Sequence, residues 1–489
     1  MPTSGAVSSG HTRLSARWVI AHVDGAHVVY ENAAVVFCGH HIVHVGHGYE
    51  GPVDEHFDYG EAIISPGFID LDALSDLDTT ILSYDNSSPA STGRVWPRTY
   101  VEKGPFEMYS AEELAFQKHF AFSQLIRNGI TTALPIASLF YREWGETVEE
   151  FESAARSAEA LGLRVYLGPA YRTGNQVVES DGRIVAEFDE ERGLAELDAA
   201  ADFAQRMEND ESPLVRGMLA PDRIETCTAE LLRKTSEIAR HLNVPVRLHC
   251  CQSTTELALI RQLHDCTPIE WLDNQGFLSD ACLLPHGVYM TDSDIELAAA
   301  AGVTIVHCPL VSSRHGSTLD SFMSYKARGL NMAMGTDTWP PDMIQNLQQG
   351  VIMNRTVDNT GVKSCRSEDL FDAATLGGAT ALNRTDLGRL EAGACADIIV
   401  IKLDRSLCGP DPVQSLMTGC TGRDVSNVFI NGRHVLVDGQ IPGVDDDADW
   451  VRAQRQFDKI ISLYPERTLN HPPVDEIFST SYARAEKHD

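Results

Sequence analysis

Residues 66–72 read Pro-Gly-Phe-Ile-Asp-Leu-Asp, an apolar run of strand length that delivers two carboxylates at its C-terminal end. Three later stretches have the same form, and they end in His249, His286 and Asp337. In a parallel α/β barrel, buried strands point polar groups out at one face, where the loops gather around an active site. The order of these stretches along the chain therefore predicts such a barrel.

The middle of the chain alternates between helix-like and strand-like patterns. Helical patterns cover residues 111–128, 148–161, 194–208, 229–242 and 292–301. The strand-length runs are residues 63–64, 129–134, 163–168, 215–220, 244–249, 281–286, 303–307 and 331–336. Because alternating units build a parallel sheet and about eight of them close it, we predict a (β/α)8 TIM-type barrel over residues 66–385.

The two ends of the chain have a different pattern, of short strands and turns. Residues 13–65 contain several strand-length runs, and the same pattern returns from about Asp386. Asn431 and Gly432 stand between two β-branched runs, which is a strong hairpin signal. We predict a small β-sandwich built from residues 1–65 and 386–489, with a C-terminal helical tail and with the barrel inserted between its halves.

The composition limits the classes of partner. A net charge of -31 argues against nucleic acid and against an anionic membrane surface, which both attract clustered Lys and Arg. No apolar run reaches the roughly 18 residues of a membrane span, and the N-terminus lacks a secretory pattern. The 11 cysteines are scattered without a CxxC pair, as reduced thiols are. We expect a cytoplasmic homo-oligomer that acts on a small, neutral or cationic molecule.

Two imidazoles and a carboxylate, from His249, His286 and Asp337, suit one divalent transition ion. Each histidine could instead be a core residue that has found a hydrogen bond, and Asp337 could be paired with a cation. A carboxylate at the end of a buried strand is costly without a partner. Since a barrel brings strand ends to one mouth, we predict that the three side chains share an ion. Zn is the first candidate, and Fe, Mn or Co are the alternatives.

Asp70 and Asp72 alternate along a strand, so both carboxylates can point to the same side. Two carboxylates this close repel each other unless a proton or a cation lies between them. We predict that they are further metal ligands. The alternative is that one of them holds a loop or pairs with an arginine such as Arg94 or Arg98.

His307 and Gln252 are candidates for contact with a substrate. His307 ends the strand that follows the one ending in His286. It could polarise a substrate carbonyl, or it could be structural. Gln252 follows His249 by three residues, and its amide can orient a substrate but cannot carry a proton. Aromatic residues in the loops could form an apolar pocket at the open end of the barrel, or they could simply pack together. They are Trp96, Tyr100, Phe106, Trp144, Tyr171 and Trp339.

From about Leu14 to Gly439 the chain resembles the amidohydrolase superfamily, in the branch of cytosine and guanine deaminases and of triazine, phenylurea and molinate hydrolases. The segments that carry the resemblance are residues 66–70, His249, residues 286–291, residues 306–309, residues 335–337, residues 374–379 and residues 388–397. The family usually has a His-x-His pair where this chain has Asp70 and Asp72, which implies a harder, more anionic metal site. Its deaminases usually have a Glu where this chain has Gln252, which weakens the deaminase interpretation.

The resemblance implies a metal-dependent hydrolase that cleaves a C–N bond of an amide, urea or carbamate-like molecule with metal-activated water. Asp337 would take the proton of the water and deliver it to the leaving group, and His307 or His286 would steady the oxyanion. Two alternatives stay open. One is a heteroaromatic ring deaminase or dehalogenating hydrolase, and the other is a metal-free, catalytically silent scaffold.

Overall fold

The structure is a computed structural model that describes residues 10–77, 79–84, 95–104, 108–137, 139, 142, 144–357, 364–403 and 407–483. Phe106 and Arg94 lie outside the described residues. Within them the fold is mixed α/β, as predicted. None of the helices in this described part is long and apolar enough to cross a bilayer.

Both ends of the chain meet in one mixed sheet of 8 strands. These strands are His11–Val23, Ala26–Cys38, His41–Gly46, Glu55–Asp58, Ala62–Pro66, Ile398–Lys402, Val425–Ile430 and Arg433–Leu436. Ile398–Lys402 joins the two chain ends by pairing antiparallel with Ala62–Pro66. The predicted hairpin around Asn431 is present, because the two strands that flank it pair antiparallel. The division of this sheet into two layers of a sandwich stays a prediction.

Eight further strands form two parallel sheets of 4 strands each. In chain order they are Phe68–Ala73, Ile130–Pro135, Arg164–Leu167, Val215–Gly217, Val246–Arg247, Cys282–Pro285, Thr304–His307 and Asn331–Met334. A parallel bridge between Leu219 and Val246 connects the fourth strand to the fifth. The N–H of Asp337 donates to the carbonyl of Asp72 at 2.6 Å and connects the eighth strand to the first. These pairings are consistent with a TIM-type barrel.

The run Ile63–Ile64 does not belong to the parallel strands, contrary to the strand assignment from sequence. It lies in the mixed sheet, and the first parallel strand begins at Phe68. Gly67 allows the chain to pass from one sheet to the other, because a Cβ there would come within 2.1 Å of the Thr131 hydroxyl on the second parallel strand. Pro66, which has no N–H, precedes it and ends the pairing of the earlier strand.

Helices lie between the parallel strands and follow the predicted alternation. The helices of eight or more residues are Ala111–Arg127, Val148–Leu161, Glu190–Asn209, Ala229–Leu242, Thr254–His264, Asp292–Ala300, Met343–Val357, Pro412–Gly419 and Asp446–Leu463. The shorter α-helices are Arg98–Lys103, Pro268–Asn274, Pro309–Arg314, Phe322–Ala327, Ser367–Asp372, Gly378–Ala381 and Val474–Ile477. The first long helix begins where Ser110 and Glu113 cap each other's backbone N–H groups.

The C-terminal helix Asp446–Leu463, predicted as a helical tail, packs against the helix Ala111–Arg127. Arg127 reaches Asp446 at 2.6 Å, and Lys459 reaches Glu113 at 3.1 Å. Further small strands lie beyond the ends of the parallel strands. They are the three-stranded sheet of Trp96–Pro97, Gly174–Val178 and Ile184–Phe188 and the pair Ala170–Tyr171 and Ala220–Pro221.

Candidate metal site

Three buried side chains at the ends of the first, fifth and sixth parallel strands form a group that could hold a metal ion. One ligand atom from each of Asp72, His249 and His286 lies within 4.8 Å of the other two. Nε2 of His249 is 3.6 Å from Oδ1 of Asp72. The two imidazole rings stack with their centroids 5.4 Å apart. The predicted convergence of His249 and His286 is therefore present in the structure.

Asp337 approaches the same group from the eighth strand. Its Oδ2 is 3.7 Å from Nε2 of His286. Both residues adopt left-handed backbone conformations, with φ of 74° at His286 and 61° at Asp337. Such conformations are uncommon for residues other than glycine and are concentrated at functional sites, at a cost of about 1 kcal/mol or more each. Both residues therefore combine an uncommon main-chain conformation with a place in or beside the group of Asp72, His249 and His286 (the Asp72 group).

His249 is oriented by a backbone carbonyl. Its Nδ1 lies 3.1 Å from the carbonyl oxygen of Asp222, so Nδ1 carries a proton and donates it. The other nitrogen then faces Asp72 with either a proton or a lone pair. A lone pair opposite a carboxylate is repelled unless a cation lies between them, and a metal-binding histidine is commonly oriented through its other nitrogen in this way.

The spacing of these atoms fits a metal ion. A tetrahedral site with bonds of about 2.1 Å separates its donor atoms by about 3.4 Å. The contacts of 3.6 Å between His249 and Asp72 and of 3.7 Å between His286 and Asp337 are close to that value. Two imidazoles and two carboxylates are also suitable donors for a divalent transition ion. These side chains can therefore hold the ion that the sequence predicts.

Asp70 does not join this group, although the sequence predicted both aspartates as ligands. Its Oδ2 accepts the Thr336 hydroxyl at 2.5 Å, and its Oδ1 accepts the backbone N–H groups of Thr336 at 3.0 Å and of Asp72 at 3.2 Å. Burial raises the pKa of Asp70 to about 7. With both oxygens engaged, Asp70 fastens the eighth strand to the first and leaves Asp72 to face the histidines.

Asp72 is kept ionised by positive charge around it. Burial alone would raise the pKa of Asp72, but His249, Arg247 and His286 outweigh it and lower the pKa to about 2. Nη1 of Arg247 lies 3.3 Å from Oδ1 of Asp72. Gly335 permits the close approach of the neighbouring chain, because a Cβ there would lie 2.6 Å from the Cβ of Asp72. The arginine that pairs with an aspartate here is Arg247, and the suggested Arg98 contacts Glu179 instead.

A second group of possible ligands contains Cys250, Cys251 and Glu256. A thiol must lose its proton to bind a metal. Burial raises the pKa of Cys250 well above its ordinary value, so this thiol stays protonated. The carboxylate of Glu256 accepts the backbone N–H groups of Cys251 at 2.5 Å and of Gln252 at 3.0 Å. This group is a capped loop, and the Asp72 group is the better metal site.

His307 lies at the end of the seventh strand and is buried. Its Nε2 is 3.3 Å from Nδ2 of Asn354, and its ring lies against Phe322. Burial lowers the pKa of His307 to about 3, so the ring is neutral near pH 7. Among the residues that the structure describes, the hydrogen-bond partner of its ring is Asn354 and not a member of the Asp72 group.

Gln252 belongs to a polar network at the ends of the fourth and fifth strands. Its side-chain oxygen accepts a hydrogen bond from Arg223, and Nε of Arg223 lies 3.3 Å from Glu225. Gln176, on the small sheet beyond the strand ends, donates to the same carboxylate. The network fixes the Gln252 amide in place, which suits the predicted role of orienting a substrate.

Most of the expected aromatic residues pack against cations or against other rings. Trp96 and Trp144 both lie against the buried guanidinium of Arg172, at 5.4 Å and 5.3 Å. The hydroxyl of Tyr171 contacts Thr235 in the core at 2.9 Å. These contacts support the alternative that the aromatics serve packing. Tyr100 and Trp339 are also engaged, with Arg467 and with Phe120.

The strand-end pattern gave no sign of Arg247, Asp222 or Arg223, which hold the candidate ligands and Gln252 in position. Arg247 could have been found, because it stands two residues before His249 on the same strand and therefore faces the same side. A charged residue inside an apolar run is itself unusual. Asp222 acts through its backbone carbonyl, which leaves no trace in the sequence.

Comparison with known proteins gives the family and the fold of this chain. Residues 63–435 match the sequence model of the amidohydrolase family. The 5-methylthioadenosine/S-adenosylhomocysteine deaminase of Pyrococcus abyssi is 26% identical over 422 residues, which cover 85% of this chain and 92% of the relative.

Solved structures share the fold. An adenosine deaminase from Xanthomonas campestris with bound zinc has a TM-score of 0.73 at 20% identity, covering 92% of this chain and 98% of its own. An atrazine chlorohydrolase from Arthrobacter aurescens TC1, complexed with zinc, has a TM-score of 0.74 at 21% identity, covering 91% and 100%. The chain belongs to the amidohydrolase family, and it is an enzyme that acts on carbon–nitrogen bonds other than peptide bonds.

Proposed function

We propose that this protein is a metal-dependent hydrolase of small molecules, built on a (β/α)8 barrel that spans residues 66–385. Residues 1–65 and 386–489 form a β-sandwich domain around this insertion. The strand order, the link from Asp337 to Asp72 and the close packing at Gly335 support a closed barrel. The observation that carries the function is the buried group of Asp72, His249 and His286 with Asp337 beside it.

One divalent transition ion per chain would be held by Asp72, His249 and His286, with Asp337 as a further ligand, and Zn is the first candidate. When bound, the ion supplies a Lewis acid that lowers the pKa of a water to about 7. Asp70 is a supporting residue in this proposal, because Thr336 and the backbone of Asp72 occupy its oxygens.

Asp337 moves the proton. Its carboxylate accepts the proton of the attacking water and returns it to the departing nitrogen, as a general base and then a general acid. His286, at 3.7 Å, holds this carboxylate next to the ligands. His307 is neutral near pH 7, so any help it gives to a developing oxyanion comes from a hydrogen bond and not from charge. Gln252, fixed by Arg223, orients the substrate.

The bond cleaved is the exocyclic C–N bond of an amino-substituted heteroaromatic ring, and the products include ammonia. The Pyrococcus abyssi relative, which covers 85% of this chain, is named as a 5-methylthioadenosine/S-adenosylhomocysteine deaminase, and this name supports the substrate class. A second candidate is an amide, urea or carbamate-like molecule. Gln252 favours it, because an amide cannot protonate a ring nitrogen.

The test is purification without chelator, elemental analysis, and an assay of ammonia release over aminated heterocycles, ureas, anilides and carbamates. We expect about one equivalent of a transition metal per chain and ammonia release from a heterocycle. Asp337→Asn is expected to lower turnover by about 100-fold or more while the fold is preserved. Gln345→Ala, at a helix position outside the proposed site, is the matched control.

Three outcomes would contradict parts of this proposal. Full activity of Asp337→Asn would remove Asp337 from the chemistry. Turnover of ureas or anilides without turnover of any heterocycle would favour the second candidate. A protein that takes up no transition metal and turns over no substrate would favour the silent scaffold.

A further inference from the structure

We propose that Arg247 is a positioning residue that shares the Asp72 carboxylate with the bound ion and thereby lowers the affinity of the site for that ion. The inference rests on the proposed function, since it needs a metal bound by Asp72, His249 and His286. It assigns a role to a residue of this chain that lies next to the ligands and contacts one of them.

The position of Arg247 supports this role. It is fully buried and ends the fifth strand two residues before His249, so both side chains face the same interior. Its Nη1 is 3.3 Å from Oδ1 of Asp72, and the same oxygen faces Nε2 of His249 at 3.6 Å. The guanidinium and the ligand imidazole therefore approach one carboxylate oxygen together, and the carboxylate cannot turn without losing both contacts.

The hydrogen bonds of Arg247 are incomplete within the protein. Nε and Nη2 of this side chain are buried and have no hydrogen-bond partner among the described residues. A buried guanidinium needs an anion close by, because its transfer from water into the protein is costly. Asp72 provides that anion, so the arginine and the carboxylate depend on each other.

The charges then set the direction of the effect. A divalent ion held by Asp72, His249 and His286 would lie close to the Arg247 guanidinium, because both would contact the Asp72 carboxylate, and the two positive charges would repel each other. Arg247 also neutralises part of the negative charge of Asp72, which would otherwise attract the ion more strongly. At the effective dielectric constant of about 20 found in proteins, charges separated by a few ångströms change a binding constant by about ten-fold or more. Removing the charge of Arg247 should therefore tighten metal binding.

The experiment is a competition titration of Zn²⁺ between a chromophoric chelator and the metal-free full-length protein, for the wild type and for Arg247→Gln. Glutamine keeps a donor toward Asp72 and loses the charge. We expect Arg247→Gln to bind Zn²⁺ about ten-fold or more tightly than the wild type. We expect its thermal midpoint to rise more on adding Zn²⁺, because the ion replaces the missing counter-charge of Asp72.

Two variants serve as controls. Arg247→Lys keeps the charge, and we expect its Zn²⁺ affinity to stay within about three-fold of the wild type. Arg164→Gln removes another buried arginine, which pairs with Asp397 away from the site, and we expect it to destabilise the protein without changing Zn²⁺ affinity. If Arg247→Gln does not fold without metal, we expect refolding in the presence of Zn²⁺ to restore it.

The outcomes distinguish a failure of the role of Arg247 from a failure of the metal site itself. Unchanged or weaker Zn²⁺ binding by Arg247→Gln, equal tightening by Arg247→Lys, or a variant that Zn²⁺ does not restore would overturn the role of Arg247 and leave the metal site standing. A wild-type protein that binds no Zn²⁺ and no other transition ion would overturn the metal site and the role of Arg247 together.

Discussion

Two buried arginines stand at opposite ends of the parallel strands, and their surroundings differ. Arg164 begins the third strand, and each of its nitrogens has a partner: Nε and Nη2 donate to Asp397 at 3.0 Å and 3.1 Å, and Nη1 donates to the Pro213 carbonyl at 2.7 Å. Arg247 ends the fifth strand, and a single contact of 3.3 Å joins it to Asp72. Every side-chain nitrogen of Arg164 therefore has a hydrogen-bond partner, whereas Nε and Nη2 of Arg247 have none among the described residues.

The difference distinguishes a charge pair that joins two parts of the fold from the charged groups of the proposed metal site. Asp397 also accepts the backbone N–H of Asn431 at 2.7 Å, so the Arg164 pair joins the parallel strands to the mixed sheet. At the other end Asp72, His249 and His286 are close together with contacts longer than ordinary hydrogen bonds. Incomplete contacts among buried charged groups are costly unless another charge completes them.

The largest effect is expected from Arg164→Gln, which breaks the complete pair. Asp397 would remain buried without its counter-charge, and we expect the free energy of unfolding to fall by about 3–5 kcal/mol. Urea denaturation followed by circular dichroism measures it. A loss below about 1 kcal/mol would mean that the Arg164–Asp397 pair stabilises the fold no more than an exposed salt bridge does.

The two aspartates of the first strand give a sharper comparison at the other end. Asp72→Asn should weaken Zn²⁺ binding by about ten-fold or more, because it removes a charged ligand. Asp70→Asn should change Zn²⁺ binding much less, because Thr336 engages the Asp70 oxygens. Calorimetric or chelator titration of both variants is the measurement. Equal losses of affinity would show that both aspartates bind the ion.

The smallest effect concerns His307. Its pKa is lowered by burial from an ordinary 6.5 to about 3, so below pH 6.5 the unfolded chain binds a proton that the folded chain does not. Stability is therefore lost as the pH falls, by about 2 kcal/mol on reaching about pH 5.

The check is urea unfolding of the wild type and of His307→Gln at about pH 7 and about pH 5. The variant should lose about 2 kcal/mol less between the two conditions, because it has no such proton to bind. The same loss in both proteins would mean that His307 is already charged in the folded state.

The sequence predicted the mixed α/β class, the alternation of helices and strands, and the side chains that end the strands. His249, His286 and Asp337 could be identified because each follows an apolar run. The carboxyl ends of the strands meet at one face of a barrel, whatever the sequences of the loops. The run at Ile63 was counted among the strands of the alternating region, although the boundary predicted at residue 66 left it in the β-sandwich. Apolar residues in both sheets look alike, and only the close approach at Gly67 distinguishes them.

The different fates of Asp70 and Asp72 could not be predicted. Both face the same side of one strand, and the residue that separates them, Thr336, lies 266 positions further along the chain. Arg247 could be recognised as a charged residue inside an apolar run, but its partner Asp72, 175 positions away, could not be predicted. Contacts between distant strands depend on how neighbouring strands are aligned, which alternation along a single strand does not specify.

The left-handed backbone at His286 and Asp337 limits which amino acids could replace these two residues. Asparagine, aspartate and histidine tolerate that conformation better than other side chains with a Cβ, whereas valine, isoleucine and threonine resist it. Two of the three tolerant types are themselves donors to transition metals. At these two positions, apart from glycine, main-chain shape and coordination chemistry therefore favour the same few residues.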